Sequence, residues 1–405
     1  MVHPIGAEVR RTQIWARAGT PLGLFVTLGL TAGAVGVAWP PMRATFSAPL
    51  AGLGLILATV TVAYFAGSAS SGQLGARFGG GVLITAGCAL AAVGLIAVSL
   101  ATHWLMIPIL GLVLGVGFGL IDAAVNTHVS LNRGIRYMGW LHASWATGAA
   151  LGPQIVVVSL ALTRSWRPAF AIMGSAFVAF GIVIGLQRQG RTQPAAGLEP
   201  SSARPAPITS YRRVIILLAA LLLLAAGLEA TAGDWSYTEL TLGRSMMAVL
   251  ASWGATLFWA GLAAGRVALG MLGNRIPPDR LLDASMAISA GATLAFWLSP
   301  PLVAAVVALP LLGMAVSVVF PLLLSLTPTR VGAAMTGHAV GYALAAGTIG
   351  GGALPAAVGL ALQTVGLSTL GPMMTAIATA LLLLHIVSRR SPPRSARPGR
   401  DPLAM

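Results

Sequence analysis

Apolar residues occur along this chain in long, nearly uncharged blocks and do not alternate with polar ones. Each block is close to the roughly 20 residues that a helix needs to cross a bilayer. The short alternating strands of a membrane β-barrel would give a different pattern. The pattern predicts twelve transmembrane helices, at residues 20–39, 50–70, 81–101, 105–129, 137–162, 166–187, 213–239, 246–271, 280–299, 302–326, 332–358 and 366–388.

A segment rich in Pro, Ser and Arg separates the sixth predicted helix from the seventh. Such a composition is typical of a mobile linker. We therefore predict an all-α integral membrane protein with two pseudo-symmetric six-helix bundles. The predicted boundaries are 1–187 for the first bundle, 188–212 for a cytoplasmic linker, 213–390 for the second bundle and 391–405 for a disordered basic tail.

Two landmarks recur at nearly the same offset in the two halves. "GQLGARFG" begins at Gly72 and "GMLGNRIP" begins at Gly270, 198 residues later, each after the second helix of its half. His142 and His338 lie 196 residues apart, each in the fifth helix of its half. Two matches at one spacing indicate duplicated six-helix units, as in many secondary transporters.

Composition and charge agree with a membrane protein. The chain is 57% hydrophobic and 8% charged, against roughly 25% charged residues in soluble domains, with a mean hydropathy of +0.86. If both termini are cytoplasmic, 19 of the 24 basic residues, all arginines, fall in cytoplasmic segments, and four fall in external loops. This asymmetry predicts cytoplasmic termini. It also accounts for the net charge of +15 without a nucleic-acid partner.

The order of helices and the glycine–arginine loops resemble the major facilitator superfamily over nearly the whole chain. Within it, "GLIDAAVNTHVSLNRGIRYMGWLHASWATGAALGP", "GLEATAGDWSYTEL" and "LFWAGLAAGRVALG" are similar to the fucose-permease-like group of proton symporters. Two features depart from the pattern. Ala76 and Asn274 occupy the places where the loop motif usually has Asp, and helix one has no carboxylate. A coupling scheme with two acids therefore cannot be transferred whole.

Two acidic residues lie deep in predicted helices. Charges within membrane helices usually face the bundle interior or an aqueous cavity and suggest function. The resemblance makes Asp122 the counterpart of a protonatable acid on helix four, and Asn126 lies one turn away on the same face. The alternative is a structural hydrogen bond from Asp122 to helix one or two. Glu229 is the second candidate for proton coupling, with packing or gating as its alternative, whereas Asp234 and Glu239 are expected near the solvated outer surface.

Polar and aromatic residues supply candidates for substrate binding. On helix five, His142 and Trp145 share a face. His338 occupies the corresponding helix of the second half, with Tyr342 one turn later. Trp235 is interpreted as an interfacial anchor or as a stacking surface for a ring. His142 has the further alternative of a bond to a neighbouring helix.

Three arginines are predicted to stabilise cytoplasmic loops and helix ends that separate during transport, and so to act in gating: Arg77, Arg266 and Arg275.

These observations favour a secondary transporter over an enzyme or a channel. No nucleophile–base pair or ligand spacing for a metal site is evident, so no cofactor and no metal are expected. We expect a monomer in the cell inner (plasma) membrane that takes up a small polar, sugar-like solute together with protons. "GAALGP", residues 148–153, also occurs in drug/proton antiporters, so proton-coupled efflux of drugs or metabolites is the alternative.

Overall fold

The structure is a computed structural model that describes residues 19–133, 135–186, 211–272, 275–331 and 333–389. Over these ranges the chain is almost entirely helical and forms no strand. Twelve of the helices described there are long and apolar enough to cross a membrane, which confirms the predicted fold class. The predicted linker, apart from its last two residues, and the predicted tail lie outside the described residues.

The first six spans form one bundle: α1 (Gly19–Phe46), α2 (Gly52–Phe78), α3 (Gly80–Leu100), α4 (Met106–Asn132), α5 (Ile135–Thr163) and α6 (Arg167–Leu186). Helix α1 is longer than predicted, because it continues through Pro40 and Pro41. A proline removes a backbone N–H, but in membrane helices other groups can satisfy the carbonyls that this frees. The carbonyls freed here are those of Gly36 and Val37, four residues before the two prolines.

The second six spans form the other bundle: α7 (Arg212–Thr238), α8 (Ala248–Leu272), α9 (Pro278–Leu298), α10 (Pro301–Ser325), α11 (Ala333–Thr364) and α12 (Leu370–Arg389). Two stretches depart from α-helical geometry. Glu239–Gly243 extends α7 as a π-helical turn, and Ala304–Ala308 is a π-helical turn within α10. The second lies just before Pro310, whose missing N–H removes a helical hydrogen bond.

The same helix pairs are in contact in the two bundles. In the first, α1 packs on α5, α2 on α4 and α3 on α6; in the second, α7 packs on α11, α8 on α10 and α9 on α12. Adding six to each helix number in a pair of the first bundle gives the corresponding pair of the second bundle. This correspondence is what a duplicated six-helix unit requires.

Glycines bring α1 and α5 into close contact. A Cβ atom at Gly148 would collide with the backbone of Val26, and one at Gly29 would collide with the backbone of Trp145. The corresponding pair in the second bundle is built in the same way, since a Cβ at Gly350 would collide with Leu223. The "GAALGP" segment in the first bundle and Gly350 in the second therefore each fix a helix–helix distance within their own bundle.

The two bundles are joined on the side of the membrane opposite the chain termini, which we call the far side. There the Gln154 side chain of α5 donates to the Thr256 hydroxyl of α8 at 3.0 Å. The Ala51 N–H donates to the Gln363 side chain of α11 at 2.8 Å. Gly139 of α5 and Gly341 of α11 lie on the other side, nearer to Gly19 and Arg389, and both face open space.

The arginine asymmetry makes the orientation in the membrane testable. Cys88 is fully buried, so a cysteine introduced at an exposed position can be labelled above a low background. With cytoplasmic termini, we expect Thr102→Cys to react with a membrane-impermeant maleimide in intact cells. Ala76→Cys should react only after permeabilisation. Labelling of Ala76→Cys in intact cells would reverse the topology.

The glycine contact between α1 and α5 predicts a specific loss of stability. Gly148→Ala places a Cβ against the Val26 backbone, and overpacking of this kind costs about 1–3 kcal/mol. We expect a lower melting temperature of the purified protein in detergent. Gly139→Ala, on the same helix but facing open space, is the matched control and should be neutral or stabilising, because alanine favours helix. Equal effects of the two changes would contradict the packing argument.

Candidate site between the two bundles

A buried ion pair lies at the meeting point of the two bundles. Arg266 of α8 places its Nη2 atom 3.7 Å from Oε1 of Glu229 on α7, and both side chains are largely buried, with 21% and 19% of their surface exposed. Among the described residues, Arg266 forms an ion pair with Glu229 alone. A charge this deep in a membrane protein is costly unless it is paired. Each side chain therefore depends on the other.

Arg266 contacts both bundles. Its guanidinium group lies over the indole ring of Trp145 on α5, 5.7 Å from the ring centroid. The sequence places this arginine inside helix eight, and in the structure it lies six residues before the last residue of α8. Because a helical side chain points back toward the N-terminus of its helix, the guanidinium group lies toward the middle of the membrane. The predicted role in gating stays a prediction.

A cluster of aromatic rings lies beside the guanidinium group. Trp145 meets Trp259 of α8 edge to face at a centroid distance of 5.6 Å, and Trp259 in turn meets Phe258 at 5.0 Å. Trp259 is not among the residues predicted from the sequence. It precedes Arg266 by seven residues, which places the two on one face of α8. That spacing is the signal from which this residue could have been found.

His142 lies beside the same cluster. Its side chain is exposed, its ring packs edge to face against Phe25 of α1 at 6.0 Å, and Arg266 is near enough to interact with it electrostatically. An imidazole can donate or accept a hydrogen bond. The predicted candidates His142, Trp145 and Glu229 are thus brought together around Arg266.

Asp122 forms a separate network within the first bundle. The Tyr64 hydroxyl of α2 donates to its Oδ2 atom at 2.6 Å, and the Asn126 side-chain amide donates to its Oδ1 atom at 3.1 Å. The carboxyl group is thus held by neutral donors. Tyr64 was not foreseen, since a contact across 58 residues leaves no pattern in the sequence. The network ties α2 to α4, as in the structural alternative considered for Asp122, and a coupling role stays a prediction.

The other predicted residues whose side chains the structure describes form no ion pair or ring contact with Glu229 or Arg266. Trp235 is fully buried and its Nε1 donates to the carbonyl of Pro355 at 2.8 Å, so it links α7 to α11. Tyr342 is 52% exposed, and Arg77 and Arg275 are exposed near the ends of α2 and α8. The side chain of His338 lies outside the described residues. The described part of the chain contains no group of His, Cys, Asp and Glu that could hold a metal ion.

Two acidic residues that were expected near solvent are buried instead. Asp234 is 7% exposed and Glu239 is 3% exposed. The Nε atom of Arg244 donates to Oε1 of Glu239 at 2.6 Å, and its two terminal nitrogens donate to the carbonyls of Ser299 and Phe296. Glu239 can be buried because this guanidinium group neutralises it. For Glu239, the expectation of a solvated position was wrong because its partner Arg244, five residues later, was not considered.

Comparisons with solved structures agree with this architecture. A crystal structure of the nucleoside transporter NupG superposes with a TM-score of 0.75 at 13% identity, covering 91% of this chain and 98% of that one. A bacterial homolog of the human lysosomal transporter Spinster, in an inward-facing and occupied conformation, gives a TM-score of 0.68 at 14% identity, covering 94% and 96%. At these identities the likeness shows the fold.

Sequence comparison gives the family. "Bypass of stop codon protein 6" of Saccharomyces cerevisiae is 24% identical over 279 residues, 62% of this chain; the match spans 56% of the length of that relative. The sequence model of the Major Facilitator Superfamily matches residues 22–355, which is most of the chain. The protein therefore belongs to the Major Facilitator Superfamily and is a multi-pass membrane protein.

Proposed function

We propose that this transporter takes up a small polar solute together with protons, by alternating access. The observation that carries the proposal is the ion pair of Glu229 and Arg266, buried where the two bundles meet. Arg266 pairs within its own bundle and lies over Trp145 of the other. A relative movement of the bundles therefore changes the surroundings of both charges, which is what coupling between a titrating group and transport requires.

Glu229 is the better placed of the two candidate acids. It lies between the bundles, next to a cation whose charge opposes its protonation, so protonation there changes the local balance of charge. Asp122 is held by Tyr64 and Asn126 inside one bundle. A group that keeps its neighbours during a rigid movement of that bundle has less reason to change its proton affinity. We therefore assign coupling to Glu229 first and to Asp122 second.

The chemistry around the pair favours a polar solute. His142 supplies a donor or acceptor, while the rings of Trp145 and Trp259 can cover apolar C–H surfaces. The likeness of residues 119–153 to fucose permeases points in the same direction. Efflux of lipophilic cations fits less well, because Arg266 already neutralises the acid Glu229 that would attract a cation.

We also propose the membrane, the orientation and the domain boundaries of the protein. We place it as a monomer in the cell inner (plasma) membrane with both termini cytoplasmic, and assign residues 188–212 to a linker between bundles 1–187 and 213–390. With that orientation, the contacts between bundles on the far side make this an inward-facing conformation. The solute then leaves the site toward the cytoplasm.

Substitution of the two acids tests the assignment. Glu229→Gln leaves Arg266 buried without a counter-ion, which costs about 3–5 kcal/mol and risks misfolding. The informative variant is therefore the double change Glu229→Gln with Arg266→Gln, which removes both charges. We expect it to fold, to insert into the membrane and to show no proton-driven accumulation in proteoliposomes. Glu229→Asp keeps an acid at the position and should retain coupling.

Asp122→Asn is the comparison. If Asp122 serves mainly to tie α2 to α4, this variant should lose about 1.5–3 kcal/mol of stability, as for a hydrogen bond to a charged group. It should still accumulate solute against a gradient, and Tyr64→Phe should show the same pattern. Loss of accumulation in a stable Asp122→Asn, with coupling intact in the double Gln variant, would exchange the roles of the two acids.

A further inference from the structure

The two arginine–glutamate pairs of the second bundle differ in how completely the arginine is bonded. All three guanidinium nitrogens of Arg244 donate hydrogen bonds, one to Glu239 and two to backbone carbonyls. Arg266 makes a single ion contact at 3.7 Å, and the described residues offer it no hydrogen bond. An arginine that holds a structure together resembles Arg244. The guanidinium group of Arg266 therefore has N–H groups that donate no hydrogen bond to the described residues.

We propose that the transported solute carries a carboxylate group, which replaces Glu229 as the counter-ion of Arg266 when Glu229 takes up a proton. This inference rests on the function proposed above and specifies its substrate class. A guanidinium group presents its donors in a planar fork that matches the two oxygens of a carboxylate. The incomplete bonding of Arg266 leaves that fork open to a ligand.

The balance of charge links the proton to the solute. In the empty site, the positive charge of Arg266 and the negative charge of Glu229 cancel. A proton bound to Glu229 leaves a net positive charge, which is costly to hold within the membrane. A carboxylate bound to Arg266 restores neutrality. The proton and the anion therefore stabilise each other in the site, and each binds poorly alone.

A neutral sugar lacks this property. It can bind to His142 and the indole rings while the pair of Glu229 and Arg266 stays intact, so its binding creates no demand for a proton. A neutral solute in a protonated site leaves the charge of Arg266 without compensation. The pair at the centre of the site thus favours an anion over a neutral ring of the same size.

The surrounding rings restrict the rest of the solute. Trp145 lies under the guanidinium group, Trp259 stands edge-on to Trp145, and the ring of Phe25 packs against His142. A carboxylate that pairs with Arg266 therefore has its carbon skeleton beside aromatic faces. His142 can bond to a hydroxyl or carbonyl group of that skeleton. A small hydroxylated or cyclic monocarboxylate fits this combination.

The inference makes an electrical prediction that separates it from uptake of a neutral solute. One proton and one monovalent anion carry no net charge, so uptake should respond to a pH gradient and not to membrane potential. Symport of a proton with a neutral solute moves one charge, for which 100 mV supplies about 2.3 kcal/mol. The two gradients can be imposed separately on proteoliposomes with valinomycin and potassium.

The experiment uses acid and neutral compounds that share a skeleton. Radiolabelled glucuronate is compared with glucose, galacturonate with galactose, and nicotinate with nicotinamide. We expect at least one acid to accumulate under a pH gradient that is acid outside, with no response to an imposed potential. Its neutral counterpart should neither be carried nor compete. Addition of that acid to the purified protein in weak buffer should cause proton uptake.

Matched variants test the role of Arg266. Arg266→Lys keeps the charge but loses the planar fork, and should raise KM for the acid about tenfold or more. The double Gln variant should not bind the acid. Arg280→Lys changes an exposed arginine at the start of α9 and should leave KM unchanged. An equal loss of affinity for the acid in all three variants would show a general effect of arginine replacement. It would overturn the assignment of Arg266 as the binding site of the carboxylate.

The outcomes separate this inference from the proposed function. If a neutral compound is taken up in response to both gradients, the anionic substrate is wrong, while proton-coupled uptake still holds. Transport of an acid without proton movement keeps the anion site at Arg266 but overturns coupling, and with it the exchange of counter-ions. Binding or transport of no acid in the panel overturns the inference.

Discussion

The low polarity of the membrane interior makes a buried charge costly unless a partner compensates it, and this constraint shapes the site between the bundles. The structure meets this demand in different ways. Arg244 and Glu239 form a fully bonded pair, and Asp122 is held by neutral donors. Glu229 and Arg266 form a looser pair between the bundles. Only a pair that is both compensated and incompletely bonded can exchange a partner at low cost.

The architecture gives this pair its position. Close glycine contacts fix the distances between helices within each bundle. Contacts between the bundles include α2 with α11 and α5 with α8, which correspond to each other in the duplicated unit, and α1 with α7, which lies on the pseudo-twofold axis. Arg266 lies at one of the two corresponding interfaces. The second bundle carries the charged pair while the first supplies the indole ring beneath it.

Much of the fold could be predicted from sequence, because a membrane helix is recognised by the length of its apolar block alone. Twelve spans and their division into halves followed from that and from the repeat. The predicted first helix ended at residue 39, whereas α1 continues through Pro40 and Pro41. The site was harder. Trp145, His142 and Glu229 were selected one at a time, but their grouping around Arg266 depends on side-chain direction. The bond between Tyr64 and Asp122 depends on the packing of helices distant in sequence.

The contacts that close the far side have a consequence for energetics. The recorded hydrogen bonds across it, from Gln154 to Thr256 and from Ala51 to Gln363, are neutral. Neutral hydrogen bonds contribute about 0.5–1.5 kcal/mol each, so breaking them takes little of the free energy that a pH gradient provides. The hydrogen bonds across the closed face are therefore individually weak. Turnover could thus be tuned at Gln154 and Thr256 independently of what the central site binds.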